Sequence, residues 1–183
     1  MQHGCSLHVL ATMIQKRRTH RSLVICLLVL LALAAPVLAQ GGWERYVDPE
    51  FGYSIDLPTG QFEWVEAELP ITRMRQEETD TLLEVYGGYN RDGLSLSEFV
   101  DFLAQADRIA EITYRTGGRT WFVISGYYRR EEPGDPSLIF YAKFIFTRDL
   151  DRFSAFEISY PRRHKSEVDP VVEALEASLR PPG

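Results

Sequence analysis

Residues 138–147 restrict the fold more than any other segment. Alternation places Leu138, Phe140, Ala142, Phe144 and Phe146 on one side, and Ile139, Tyr141, Lys143 and Ile145 on the other. A strand that is apolar on both faces needs cover on both faces. The segment therefore predicts a central strand in a sheet with a layer above and a layer below. Two amphipathic helix patterns supply those layers. Ser95 and Glu98 have capping-box spacing, with Leu94 and Phe99 as the accompanying staple. Phe99, Phe102, Leu103, Ala106, Ile109 and Ala110 then recur at helical spacing. Near the C-terminus, Val168, Val171, Val172, Leu175 and Leu179 form a second stripe. Ser166 or Asp169 is expected to cap it, Pro170 to sit in its first turn, and Pro181-Pro182 to stop it.

The remaining elements read as strands. A short one is expected at residues 43–48, broken by Asp48-Pro49-Glu50. Phe51, Tyr53, Ile55 and Leu57 then alternate with polar or small residues. Residues 62–68 and 71–76 are weaker strand patterns, and 82–89 is a stronger one. Residues 111–116 and 119–128 flank Gly117-Gly118, which predicts a two-residue hairpin turn with positive φ. Residues 153–160 form a last strand, ended by Pro161. Short turns between the later strands make the sheet mainly antiparallel. The expected class is α+β: an α/β/α sandwich with about six or seven strands and helices on both faces.

The N-terminus reads as a secretory signal peptide, residues 1–39. It has no acidic residue and carries Lys16, Arg17, Arg18 and Arg21 ahead of an apolar run at 23–35, Pro36, and Val37-Leu38-Ala39. That order of charge, apolar run and small-residue cleavage site is the secretory pattern. The run has 13 residues, short of the roughly 20 a spanning helix needs. Cleavage is expected after Ala39, leaving Gln40 first, and Met13 is an alternative start. Thr19 and His20 stand where a twin-arginine signal needs apolar residues. Cys26 lacks the small residues that precede a lipoprotein cysteine.

Trimming concentrates the charge. Residues 40–183 hold 16 basic against 26 acidic side chains, a net charge of −10. Such a surface repels phosphate backbones and anionic lipid heads, which argues against nucleic acid as partner. Both cysteines, Cys5 and Cys26, lie in the leader, so the domain at 40–183 is expected to fold without a disulfide, on its hydrophobic core alone.

Several stretches resemble the PsbP-like superfamily. They are Trp43-Glu44-Arg45-Tyr46-Val47, Phe51-Gly52-Tyr53-Ser54-Ile55-Asp56-Leu57-Pro58 and Leu83-Glu84-Val85-Tyr86-Gly87-Gly88-Tyr89-Asn90. Two more are Trp121-Phe122-Val123-Ile124-Ser125-Gly126 and Ile158-Ser159-Tyr160-Pro161. That superfamily has an α/β/α sandwich with an antiparallel sheet. It includes photosystem extrinsic subunits, nuclear Ran-binding Mog proteins and exported bacterial proteins of unknown function, and the chain looks most like the last group. The resemblance spans nearly all of 40–183. Its motifs are strand boundaries and glycine turns, so it implies a fold and carries no catalytic motif across.

Chemistry-bearing patterns are sparse. His164 is the sole histidine after the leader, without a cysteine or a G-x-S-x-G elbow, so a nucleophilic triad has no parts to use. No His/Cys zinc set or phosphate-cradling glycine loop is present, and no cofactor is expected. Carboxylates cluster at Asp48 and Glu50, at Asp149 and Asp151, and at Glu131, Glu132 and Asp135. They read as solvated turns on an acidic protein. Arg162-Arg163-His164-Lys165 is the one basic run, with Arg129-Arg130 a shorter second. Cations at a helix N-terminus oppose its dipole, so these residues are candidates for docking an anionic partner. Tyr86, Tyr89, Trp121, Tyr127, Tyr128 and Tyr141 lie on strands and suit a covered sheet. Tyr127 and Tyr128 must face opposite ways, and a Tyr/Arg patch there would suit protein contact. The expectation is an exported, non-catalytic accessory or interaction module of the envelope, periplasmic where the source has two membranes. Its partner would be another envelope protein, with no retained membrane anchor. The alternative is a carboxylate-dependent hydrolase.

Overall fold

The computed structural model describes residues 42–67, 71–129 and 137–183. Strands β1 (Glu44–Val47) and β2 (Ser54–Leu57) pair as a separate antiparallel ribbon. Seven further strands make one antiparallel sheet: β3 (Glu63–Val65), β4 (Thr72–Gln76), β5 (Thr81–Tyr89), β6 (Ile109–Gly117), β7 (Trp121–Tyr128), β8 (Leu138–Phe146) and β9 (Arg152–Pro161). Their spatial order is β3-β4-β5-β9-β8-β7-β6. The last strand thus lies at the centre, between β5 and β8, and is buried along nearly its whole length.

Both faces of β8 are covered. Phe140, Ala142, Phe144 and Phe146 join Phe122, Ile124, Phe153 and Ala155 beneath helix α1 (Leu96–Ala104), which contributes Phe99 and Val100. The other face, through Leu83, Val85, Phe156 and Ile158, packs against helix α2 (Lys165–Ser178) and the β2 side chains Ile55 and Leu57. All five residues of the C-terminal stripe, Val168 to Leu179, are buried. The Ser95 cap also forms: the Glu98 amide donates to Ser95 Oγ at 3.4 Å, and the Ser95 amide donates to Glu98 Oε2 at 2.8 Å.

Four local expectations need correction. Helix α1 stops at Ala104, and Ile109 and Ala110 belong to β6, where pairing of Ile109 with Tyr128 claims the backbone. Phe102 is 64% exposed, because it falls on the flank of the short helix that turns away from the sheet. The β6–β7 turn centres on Arg119 and Thr120, with the Gly118 amide donating to Trp121 O at 2.8 Å. Neither Gly117 nor Gly118 has positive φ. Their glycines instead leave room for Trp121, whose backbone oxygen lies 2.9 Å from where a Gly117 Cβ would stand. Neither Ser166 nor Asp169 caps the last helix. A 3-10 turn at Arg162–His164 runs straight into it, and Pro170 sits in the second turn, withdrawing one N–H from the ladder.

Candidate interaction surface

The sheet order brings the two basic stretches to one end of the molecule. β7 ends beside the start of β8, with Tyr127 opposite Ile139, and β9 ends on the other side of β8, with Pro161 opposite Leu138. The Arg162 amide donates to Ser137 O at 2.9 Å, which ties the 3-10 turn to the start of β8. Arg129 and Arg162 therefore follow strands two positions apart, roughly 10 Å in strand spacing. Arg130, Glu131, Glu132 and Asp135 lie outside the described residues.

The cations differ in how far they are neutralised. Arg129 spends its guanidinium on backbone oxygens, Nε to Asp107 O at 2.9 Å and a terminal nitrogen to Ile109 O at 3.3 Å, and meets no carboxylate among the described residues. Arg162 is exposed, with no side-chain partner among the described residues. Arg163 Nε donates to His164 Nε2 at 3.0 Å, and His164 Nδ1 faces Glu167 Oε1 at 3.2 Å. Lys165 is held by both oxygens of Asp169 at 2.7 Å. Three guanidinium groups without a carboxylate partner among the described residues, those of Arg129, Arg162 and Arg163, thus share one end of an acidic protein.

The two tyrosines do face opposite ways. Tyr127 packs on the α2 side. Tyr128 stacks on Phe140, ring centroids 4.9 Å apart, on the α1 side. Tyr128 is a structural ring with a polar end: its hydroxyl donates to Glu157.

That bond leads to a cluster the sequence reading missed. Arg73, Glu84 and Glu157 occupy successive positions across β4, β5 and β9. Two carboxylates directly opposite on antiparallel strands repel, and each has its own compensation. Arg73 Nε donates to Glu84 Oε1 at 2.8 Å, and Arg108 reaches Glu157 Oε2 at 2.9 Å. Glu157 is only 8% exposed. Burial holds its carboxyl above the ordinary glutamate range, outweighing Arg108 and the Tyr128 hydroxyl, which pull it down. A usable signal was present: Phe153, Ala155 and Glu157 alternate onto one face, so the acid stands at a core position of an otherwise apolar strand.

A pH dependence follows. A carboxyl raised in the folded state stabilises most below its unfolded pKa and loses that contribution as pH rises through the folded value. Glu157→Gln keeps an acceptor for Tyr128 and has no charge to desolvate. Its Tm relative to the parent should be higher at about pH 8 than at about pH 4. A thermal-unfolding series showing the same difference at both pH values would contradict this reading.

Of the carboxylates in these turns, Glu50, Asp149 and Asp151 are exposed and Asp48 is not. Asp48 is buried, accepting the Glu50 and Phe51 amides at 3.0 and 2.6 Å. Asp149 accepts from Thr147 Oγ1 at 2.5 Å and from the Asp151 amide at 3.2 Å, and these bonds hold its carboxyl below the ordinary aspartate range.

Similarity to solved structures agrees with the architecture. The solution structure of cyanobacterial PsbP (CyanoP) from Synechocystis sp. matches with a TM-score of 0.53 at 17% identity, over 80% of this chain and 96% of that one. The Saccharomyces cerevisiae Ran-binding protein Mog1p matches with a TM-score of 0.55 at 10% identity, over 77% and 96%. A Bacteroides thetaiotaomicron protein matches at 0.51 and 11%, over 79% of this chain and 50% of that one. No protein-family model matches the sequence, and no curated protein matches it. The chain is an α+β protein. Its fold is the one seen in CyanoP and Mog1p.

Proposed function

We propose that this chain is an exported, non-catalytic accessory module that binds another protein of the cell envelope. The convergence of Arg129, Arg162 and Arg163 at one sheet end, on a domain of net charge −10 after its leader, is the observation that carries it. Local positive charge on an acidic body selects an anionic patch on a partner and disfavours wrong orientations. The shared fold with a Ran-binding protein supports an interaction role.

Capture from an envelope extract tests the reading. The full chain should enrich a specific partner. Replacing Arg129, Arg162 and Arg163 by Glu should reduce its recovery by about tenfold or more, since reversed charges at a docking site cost several kcal/mol. Undiminished recovery would dismiss this surface. The exported form should begin at Gln40, and a cytosolic protein beginning at Met1 or Met13 would dismiss export. The alternative, a carboxylate-dependent hydrolase, draws support from the Glu84–Glu157 pair. A hydrolytic activity abolished by Glu157→Gln while partner capture persists would favour it.

A further inference from the structure

A second surface has the opposite chemistry. Helix α2 packs on β9 and β2, and Tyr114 of β6, Ser125 of β7 and Tyr141 of β8 lie beside it. Between α2 and these strands runs a groove of about 430 Å³. Ile139 and Val172 supply apolar lining, and Tyr114, Tyr141 and Tyr160 supply aromatic lining. Tyr114 is 52% exposed. Along α2 the groove meets Asp169, Glu173 and Glu176.

Two of these acids are occupied. Asp169 holds Lys165, while Glu176 holds Lys143 at 3.3 Å and takes a hydrogen bond from Tyr141. Glu173, between them, is exposed and has no hydrogen bond or ion pair to any described residue. The groove thus offers an apolar and aromatic lining with one uncompensated carboxylate. An anionic or apolar occupant would leave Glu173 desolvated without a partner. A lysine or arginine side chain meets each requirement: its aliphatic stem covers the apolar lining, and its cationic head meets the carboxylate and the tyrosine rings. A polypeptide donor fits the setting. Among the described residues β6 pairs only with β7, so the backbone bearing Tyr114 has a free edge for an extended segment.

We infer that this groove seats a lysine or arginine side chain from a basic, extended segment of a partner polypeptide. The inference deepens the interaction-module reading but uses a surface other than the cationic end. A chain with Arg129, Arg162 and Arg163 reversed should therefore still bind a basic peptide.

The test is fluorescence anisotropy with the full chain, at about 0.15 M salt to suppress diffuse attraction. The probes are a labelled peptide containing Lys and Arg and its Gln-substituted counterpart. The basic peptide should bind, and the Gln peptide should bind about tenfold more weakly or worse. Glu173→Gln should weaken the basic peptide by about tenfold. Glu44→Gln, an equal charge change on exposed β1, should stay within about twofold. Tyr114→Ala should weaken binding as well. Equal losses in Glu173→Gln and Glu44→Gln would reduce the effect to overall acidity and overturn the site. So would indifference to Lys and Arg, and so would spermine displacing the peptide as effectively as unlabelled peptide does, since that marks a small-amine site. Glu173 is exposed, so its substitution leaves the core intact and the outcome reads binding.

Discussion

Phe99→Ala is expected to lower stability by about 3–5 kcal/mol, the range for deleting a buried aromatic side chain. Domains of this kind hold only about 5–15 kcal/mol in total, so much of the folded margin would go. The reason is position. The Phe99 ring lies within 5.3 to 6.1 Å, centroid to centroid, of Phe122, Phe144, Phe146 and Phe153, contributed by three different strands. With Val100 it holds α1 on the sheet. Phe102 is the internal control. It touches Phe99 edge-on at 6.4 Å but is mostly exposed. Phe102→Ala should cost under about 1 kcal/mol. Urea-unfolding midpoints for the two variants decide the matter: equal losses would mean that the inward face of α1 is wrongly assigned.

Gly126→Ala is the second large effect. Gly126 pairs with Ile112 between two register shifts in β6. A Cβ at this position would run into the carbonyl oxygen of Glu111. The obstacle is backbone, so no side chain can rotate away, and β6 itself must shift. The expected cost is about 2–3 kcal/mol, with hydrogen exchange accelerating selectively in the β6 amides. Gly93 provides the contrast. Its φ is +61°, but a Cβ there meets nothing within 4 Å. Gly93→Ala should cost only about 1–2 kcal/mol, for the left-handed backbone alone. A Gly126→Ala variant no worse than Gly93→Ala would show that β6 accommodates the methyl.

The sequence was legible where a single element decides its own environment. β8 announced two buried faces through alternation alone, and the α2 stripe could be read from spacing. Legibility failed where two patterns overlapped. Ile109 and Ala110 continue the helical period of Phe99 and Leu103 by coincidence, while a strand partner about twenty residues on, Tyr128, took the Ile109 backbone. It also failed where function depends on remote adjacency. Glu84 and Glu157 become neighbours only because β9 inserts beside β5, and Arg129 meets Arg162 only because β8 lies between their strands. No local period encodes either meeting. The α2 groove is the same case, since its tyrosines come from three strands and its acids from one helix.

The central place of β9 sets an order of events. β5 reaches its neighbour across some seventy intervening residues, Leu82 to Ser159 and Tyr89 to Arg152. Until the final fifth of the polypeptide emerges, the β3–β5 and β6–β8 halves share no hydrogen-bonded seam and have no common interior. Such long-range closure is slow to form. A chain of this design can pair β3–β5 and β6–β8 early, but closes its common core only when β9 is in place.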